Sequence, residues 1–185
     1  MKKKADIWIS AALYFGLGII VVTLILGAGL PLIERLKDKN VVLETKEVMF
    51  ALDNDIRQVI RQGPGEQRAL TVSIKKGDLV IDYNNEKIIW TYTTTALLSE
   101  PGQTIKESNL DILSEPTKTK KEYLIILTLD YNPQPKKLAD LRNGNKDLTI
   151  SNPPETPITV SGNNKLIIKN LGASSTDSII SIIKQ

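Results

Sequence analysis

The architecture of the chain is set at its N-terminal side by KKKADIWISAALYFGLGIIVVTLILGAGLPLIERLKDKN, residues 2–40. The 27 residues from Ile7 to Ile33 carry no charged side chain. As an α-helix this run would be about 40 Å long, whereas crossing a bilayer needs only about 20 residues. It is also longer than the roughly 7–15 apolar residues of a removable secretory signal. We therefore predict a membrane-spanning helix rather than an ordinary signal peptide.

The charges at the two ends of this helix are the first guide to its orientation. The flanking basic residues are Lys2, Lys3 and Lys4 before the run, and Arg35, Lys37 and Lys39 after it. Basic residues favour the cytoplasmic side, and the two ends are nearly balanced. Since the N-terminal side is very short, we predict that it stays in the cytoplasm. The remainder of this single-pass protein is then extracellular.

Beyond the apolar run the helix is predicted to continue with one apolar face. Positions spaced by 4, 3, 4, 4 and 3 residues form this face: Val41, Thr45, Val48, Leu52, Ile56 and Val59. Such spacing is typical of an amphipathic helix that packs against another layer. Asp53 and Arg57 are an i, i+4 pair, which we place on the polar side.

The end of the helix is marked by Gly63 and Pro64, because glycine takes a left-handed C-terminal conformation and proline cannot continue a helix. Residues 7–62 are thus predicted to form one helix of about 84 Å. Gly27, Gly29 and Pro31 are where a break is expected, since proline removes a backbone hydrogen bond.

From Gly65 onward the apolar period changes from 3.6 to 2, which predicts β-strands. The first three are RALTVSI, LVIDY and KIIWTYTTT, an antiparallel meander with turns at KKGD and NNE. Residues 96–120 contain two prolines and are predicted to be a long loop, the default place for a binding surface. EYLIILTLDY is nearly apolar throughout, which predicts a central strand covered on both faces.

The C-terminal part holds further short strands. NPQPKK ends the central strand, and DLTIS, PITVS and KLIIKN follow, the last two joined by a turn at GNN. The final DSIISIIKQ is a strand or one helical turn. As a strand it either closes its own sheet, which we favour, or adds to a neighbour's sheet. The fold class is therefore α+β, a long N-terminal hydrophobic helix packed on an antiparallel β-sheet.

Composition argues against catalysis. The chain has no Cys and no His, which removes disulfides, thiolate and imidazole metal sites, and Ser-His or Cys-His nucleophile pairs. Two carboxylate pairs remain as candidates, Asp53 with Asp55 and Asp82 with Glu86. The first pair lies two residues apart on a helix and shares no face, and the second flanks a turn where acids are usually solvated. We expect no enzyme, no cofactor and no metal.

The net charge of +3 does not indicate a nucleic-acid partner. Residues 1–6 contribute +2, residues 34–62 contribute 0, and residues 63–185 contribute +1, from fifteen basic and fourteen acidic side chains. A nucleic-acid-binding domain has a basic patch on its folded part. Here most of the excess lies in the N-terminal lysines.

This layout resembles that of type IV pilins, and archaeal pilin-like proteins in particular. Three lysines and a small residue stand directly before the apolar run, as in leaders cut by prepilin peptidases. DNDIRQVIRQGPGEQRALTVSIKKGDLVIDYNNEKIIWTY is similar to the helix end, glycine turn and first strands of that group. The resemblance implies cleavage between Ala5 and Asp6. It also implies a leader at 1–5, an assembly helix at 6–33, an amphipathic continuation at 34–62 and an extracellular β domain at 63–185.

Two positions differ from the family's usual pattern. Ser10 stands where a glutamate is typical, and Asp6 would begin the mature chain where bacterial pilins have an N-methylated aromatic residue. Both differences argue against the bacterial type. The resemblance implies a structural subunit of a cell-surface filament, which polymerises with itself through the N-terminal helix. Its other partners would be prepilin peptidase, the pilus assembly machinery and, before assembly, membrane lipid.

Helix packing in such a filament favours small residues that let backbones approach closely. Ala12 and Gly16 have the small-xxx-small spacing, and Gly27, Gly29 and Pro31 mark a segment that would lose helical hydrogen bonds on assembly. The alternative is an uncleaved single-pass membrane protein whose extracellular β domain binds a partner or ligand.

Overall fold

The computed structural model describes residues 2–119, 122–131, 147–150, 157–173 and 177–185. Two compact units divide the chain, Met1–Asp38 and Lys39–Gln185. One helix, α1 (Lys2–Gln62), is followed by eight strands. These are β1 (Gln67–Asp82), β2 (Lys87–Thr94), β3 (Thr104–Glu107), β4 (Leu110–Pro116), β5 (Tyr123–Asp130), β6 (Asp147–Ile150), β7 (Ile158–Ala173) and β8 (Asp177–Lys184). The predicted α+β class is confirmed.

The helix ends where the sequence predicted. Gly63 has a φ of 95° and its N–H donates to the carbonyl of Ile60 at 3.2 Å. Buried Asn170 of β7 holds this end of the helix through two hydrogen bonds. Its side-chain Nδ2 donates to the carbonyl of Val59 at 3.2 Å, and its backbone carbonyl accepts from the N–H of Gly65 at 2.9 Å. These bonds satisfy groups that a helix terminus leaves without helical partners.

The expected break in the helix is not found. Pro31 lies inside α1, which is a single helical element from Lys2 to Gln62. A proline in a helix interior removes one backbone hydrogen bond, and the bonds of the neighbouring turns remain. The residues that were expected to interrupt the helix, Gly27 and Gly29, are helical as well.

Within the second unit, the predicted face of α1 is the buried one. Thr45, Leu52, Ile56 and Val59 are at most 3% exposed. Val41 is buried too, and Val48 is half-buried against the core. Full burial of one such aliphatic side chain stabilises a fold by about 1.5–3 kcal/mol. This face therefore holds residues 39–62 of α1 on the sheet.

Seven strands form an antiparallel sheet in the order β3-β4-β5-β2-β1-β7-β8, and β6 adds to β8 in parallel. Hydrophobic side chains from β1, β2, β4, β5, β7 and β8 share one core with α1. Its largest fully buried members are Trp90, Tyr131, Met49, Leu52, Ile56, Leu79, Ile81, Ile88, Leu110, Ile125, Leu127 and Leu129.

The turn predicted at KKGD is wrong, because β1 runs through it as one strand of 16 residues. Against β7 the register shifts between Ile74 and Leu79, so these residues form a bulge instead of a hairpin. Gly77 in the bulge has a φ of 76°, and a Cβ there would lie 2.3 Å from the carbonyl oxygen of Thr91. The indole of Trp90 donates to the carbonyl of Lys76 at 3.0 Å and fills the adjacent space.

The turn predicted at GNN is wrong for the same reason. β7 continues through it, and Gly162, with a φ of 70°, pairs with Ile74 directly beside the bulge of β1. The side-chain amide of Asn164 donates to the carbonyl of Ser161 at 2.6 Å, which supports the irregular backbone locally. Both glycine-containing segments therefore belong to the same irregular part of the pairing between β1 and β7.

The predicted loop at residues 96–120 contains a hairpin. β3 and β4 pair from Thr104↔Leu113 to Glu107↔Leu110, joined by the two residues Ser108 and Asn109. Ser108 takes a φ of 55° at this turn. The hairpin then pairs with β5, which places β4 inside the sheet and β3 at its edge.

Two further expectations concern apolar strands. β5 is an interior strand, and in the described part of the chain one of its faces is fully buried, with Ile125, Leu127 and Leu129, whereas Leu124 and Ile126 on the other face are only partly buried. The C-terminal segment forms strand β8, between β7 and β6, so it closes the protein's own sheet. NPQPKK lies outside the described residues.

Candidate membrane and assembly segment

The apolar run, residues 7–33, is called the apolar segment below. Its described large side chains point away from the helix on every side and stay exposed, at 79% for Trp8, 75% for Tyr14 and 68% for Leu24. The helix is long and apolar enough to cross a membrane, and none of its most apolar stretch is buried within the described part of the chain. The predicted membrane-anchoring character is compatible with this exposure.

The exposed apolar area is too large for one ordinary contact. Summed over the large hydrophobic side chains of residues 8–36, it is on the order of 2,000 Å². The largest apolar patch on a typical soluble monomer is about 300–600 Å², and a standard protein interface buries about 800 Å² per partner. Lipid, or several protein neighbours at once, is needed to cover it.

The predicted packing residues lie on this exposed helix. A Cβ added at Gly16, Gly27 or Gly29 would meet no atom within 4 Å in the described part of the chain. At about 100° per residue, Ala12, Gly16 and Gly27 fall within a sector of about 60°, whereas Gly29 lies about 200° from Gly27. The structure therefore brings three of these small residues onto one face and places the fourth nearly opposite.

The two residues of the implied cleavage site, Ala5 and Asp6, belong to the first turns of α1. Their side chains lie outside the described part of the structure. Pro31, the fifth predicted packing residue, lies near the other end of the apolar segment.

A notch that the sequence reasoning missed lies around Gly18. It is lined by Tyr14, Phe15, Gly18, Ile19, Val22 and Thr23, and we call it the Gly18 notch. The hydroxyl of Thr23 donates to the carbonyl of Ile19 at 2.8 Å, so the polar group of the lining is satisfied within the helix. The notch presents an apolar surface. Its signal in the sequence was a glycine with large residues four positions away on either side.

In the second unit, the structure contains a buried polar group that the sequence pattern did not predict. Asp53 is only 7% exposed, although it was placed on the polar side of the helix. Its carboxylate accepts hydrogen bonds from Arg57 Nε at 2.7 Å, Tyr131 Oη at 2.8 Å and Asn109 Nδ2 at 3.2 Å. These four residues are called the Asp53 cluster, and the predicted pair with Arg57 is one of its bonds.

The Asp53 cluster joins three parts of the fold, namely α1, the turn between β3 and β4, and the end of β5. Burial raises the pKa of Tyr131 well above its ordinary value, and the nearby Asp53 carboxylate raises it further. Tyr131 therefore stays protonated and donates to Asp53. A buried carboxylate with this set of donors stabilises tertiary structure.

The carboxylate pairs considered for catalysis have separate partners. Asp55 accepts from Arg68 at 2.9 Å, so Asp53 and Asp55 serve different contacts. Asp82 accepts from the backbone and side chain of Asn85, and the side-chain bond is the main cause that lowers its pKa. Glu86, at the same turn, has a φ of 54°.

No group of three or more His, Cys, Asp and Glu side chains that could hold a metal ion is found in the part of the chain that the structure describes. Comparison with protein-family models, curated proteins and solved structures gives no match. The apolar segment and the packing of the second unit are therefore the features of the molecule that bear on its function.

Proposed function

We propose that the chain is the structural subunit of a type IV pilus-like surface filament, of the archaeal kind. In this proposal the apolar segment anchors the subunit in the membrane before assembly. In the filament, the same segment packs against the segments of neighbouring copies. The observation that carries the proposal is the exposure of the apolar segment on all sides of one long helix.

A filament core accounts for the exposure of apolar side chains on all sides of the helix. Lipid surrounds the segment before assembly, and neighbouring helices take the place of lipid in the filament. A helix that packs in a soluble domain needs only one apolar stripe, as residues 39–62 have. A helix surrounded first by lipid and then by other helices needs an apolar surface all round. With on the order of 2,000 Å² to cover, at about 800 Å² per standard contact, several neighbours are required.

The proposed topology is that of a single-pass membrane protein. The N-terminal lysines stay in the cytoplasm and the sheet domain lies outside. Prepilin peptidase cuts between Ala5 and Asp6 before the assembly machinery adds the subunit to the filament. The alternative is an uncleaved single-pass anchor whose outer domain binds a partner.

The first experiment is electron microscopy of material sheared from cells that make this protein, with mass spectrometry of the purified filaments. The proposal expects filaments in which this chain is a structural component, and their loss when the chain is deleted. Surface filaments without the chain, or no filaments at all, would contradict it.

The intact mass of the membrane-bound protein separates the two anchors. A chain that begins at Asp6 has lost the leader, as a filament subunit should. A chain that still carries Lys2, Lys3 and Lys4 indicates the permanent single-pass anchor.

A further inference from the structure

We propose that the Gly18 notch receives an aliphatic side chain from α1 of a second copy of this chain. Gly18 is then the residue that sets how closely two subunits approach. This inference rests on the proposed filament function and adds a defined contact to it.

The residues around the notch are arranged to receive a side chain of a facing helix. Phe15, Gly18, Ile19 and Val22 are spaced i, i+3, i+4 and i+7, which are the four positions that form a hole for a side chain of a facing helix. Glycine at one corner leaves the hole open. Because the Thr23 hydroxyl is bonded to Ile19, an aliphatic side chain fits the hole and a polar one would lose hydrogen bonds to water.

Neither packing nor backbone conformation requires a glycine at position 18 in the described part of a single copy. A Cβ at Gly18 would meet no described atom within 4 Å, and its φ is not in the left-handed region. Glycine in a helix interior costs roughly 0.5–1 kcal/mol relative to alanine. Lipid chains adapt to any apolar surface and do not require a hole. Close approach of a second helix does require one.

The charge-free length and the exposed area of the apolar segment indicate that the occupant of the notch is a copy of this chain. The apolar segment carries no charge over 27 residues, so a partner helix must be equally free of charge along its length. The exposed area, on the order of 2,000 Å², exceeds the roughly 800 Å² that one standard partner would cover. A second copy of the same segment is equally free of charge, and several copies in a polymer together cover the exposed area.

The test compares filament yield from cells that make the full-length wild type, Gly18→Leu, Gly18→Ala or Ala51→Leu. Gly18→Leu fills the notch. Gly18→Ala fills it partly and improves helix propensity. Ala51→Leu is the matched control, because Ala51 is exposed on the same helix and lies outside the apolar segment and the notch. Membrane content and protease resistance of the sheet domain are measured in parallel to establish that each variant inserts and folds.

The inference expects Gly18→Leu to reduce filament yield by about tenfold or more, the effect of losing roughly 1.4 kcal/mol of contact energy. Gly18→Ala should give an intermediate yield, and Ala51→Leu a yield close to wild type. A purely local role of Gly18 in the helix predicts the opposite, since both Gly18 substitutions improve helix propensity.

Wild-type yield from Gly18→Leu would overturn the inference and leave the filament proposal intact. Equal losses from Gly18→Leu and Ala51→Leu would also overturn it, because added bulk anywhere on the helix would then be enough. Absence of filaments from the wild type would refute the filament proposal and this inference together.

Discussion

The same helix has two kinds of surface. In residues 39–62 one face is buried against the sheet and the other is polar, whereas residues 7–33 expose large apolar side chains on every side. Helical structure alone therefore does not determine the partner. The apolar segment of residues 7–33 is compatible with an apolar environment outside the chain, while residues 39–62 pack on the sheet of the same chain.

The difference is also electrostatic. The second half holds a buried carboxylate, Asp53, whose position is fixed by donors from distant strands. The apolar segment contains no Asp, Glu, Lys or Arg, and its neighbours can be exchanged without leaving a charge unpaired. This is the property that a helix needs if it is to move from lipid into a protein polymer.

The largest expected contrast is between two leucine truncations. Leu52→Ala, in the buried face, should lower the free energy of unfolding by about 2–5 kcal/mol, because it removes contacts and leaves a cavity. Leu24→Ala, in the apolar segment, should leave it unchanged, because Leu24 is 68% exposed. The measurement is urea unfolding in mild detergent.

Tryptophan fluorescence can report on the sheet domain alone. The chain has two tryptophans, and Trp90 is fully buried in the core. The background substitution Trp8→Phe removes the other signal. Equal destabilisation by the two truncations would mean that the apolar segment shares the core of the sheet domain, contrary to the comparison.

The second contrast uses added charge. Leu24→Lys places an ammonium in the middle of the apolar segment, at a cost of about 2.5–3.5 kcal/mol for membrane insertion. Ala51→Lys adds the same charge to an exposed position of the second half and should have little effect on insertion. Carbonate extraction of membranes measures the inserted fraction. If Leu24→Lys stays fully inserted, the segment is not in the bilayer core.

These contrasts depend on features that the sequence predicted well. The helix end at Gly63 and the buried face from Val41 to Val59 follow from local spacing and local backbone chemistry, which a single stretch contains. Most strands were also recognisable by their alternation, but β3 and β4 were predicted to be loop. The distinction between a turn and a bulge was not, because Gly77 and Gly162 suit both, and the choice is made by pairing between strands far apart in the chain.

The candidate site was predictable to a similar extent. The absence of charge from Ile7 to Ile33 predicts a membrane segment, since it is a property of composition, and the helix of the structure is long and apolar enough for one. The burial of Asp53 was not predictable, because its donors Asn109 and Tyr131 come from elements 56 and 78 residues away. The Gly18 notch needed the positions of its neighbours on the helix surface, and attention to small-xxx-small spacing selected other glycines.

The third contrast concerns pH and the Asp53 cluster. Tyr131→Phe removes a buried hydrogen bond to Asp53 and should lower the free energy of unfolding by about 1–3 kcal/mol at neutral pH. The folded pKa of Tyr131 is raised above the unfolded value, which is about 10. Above that pH the unfolded chain loses the tyrosine proton while the folded chain keeps it, so the wild type loses stability as pH rises.

The difference in unfolding free energy between wild type and Tyr131→Phe is therefore expected to be constant up to about pH 9 and to shrink above about pH 10. Urea titrations at a series of pH values measure it. A difference that stays constant through the alkaline range would show that Tyr131 titrates equally in the folded and unfolded chain.

The smallest contrast separates two acidic residues that lie two positions apart on α1. Asp55→Asn breaks the pair with Arg68, whose side chain is 36% exposed, and should cost about 0.2–1 kcal/mol, less at high salt. Asp53→Asn should cost more and respond less to salt, because it alters a buried group with three donors. Urea unfolding at low and high salt measures both. A larger and strongly salt-dependent loss from Asp55→Asn would mean that surface pairing, rather than the Asp53 cluster, is the main polar link between α1 and the sheet.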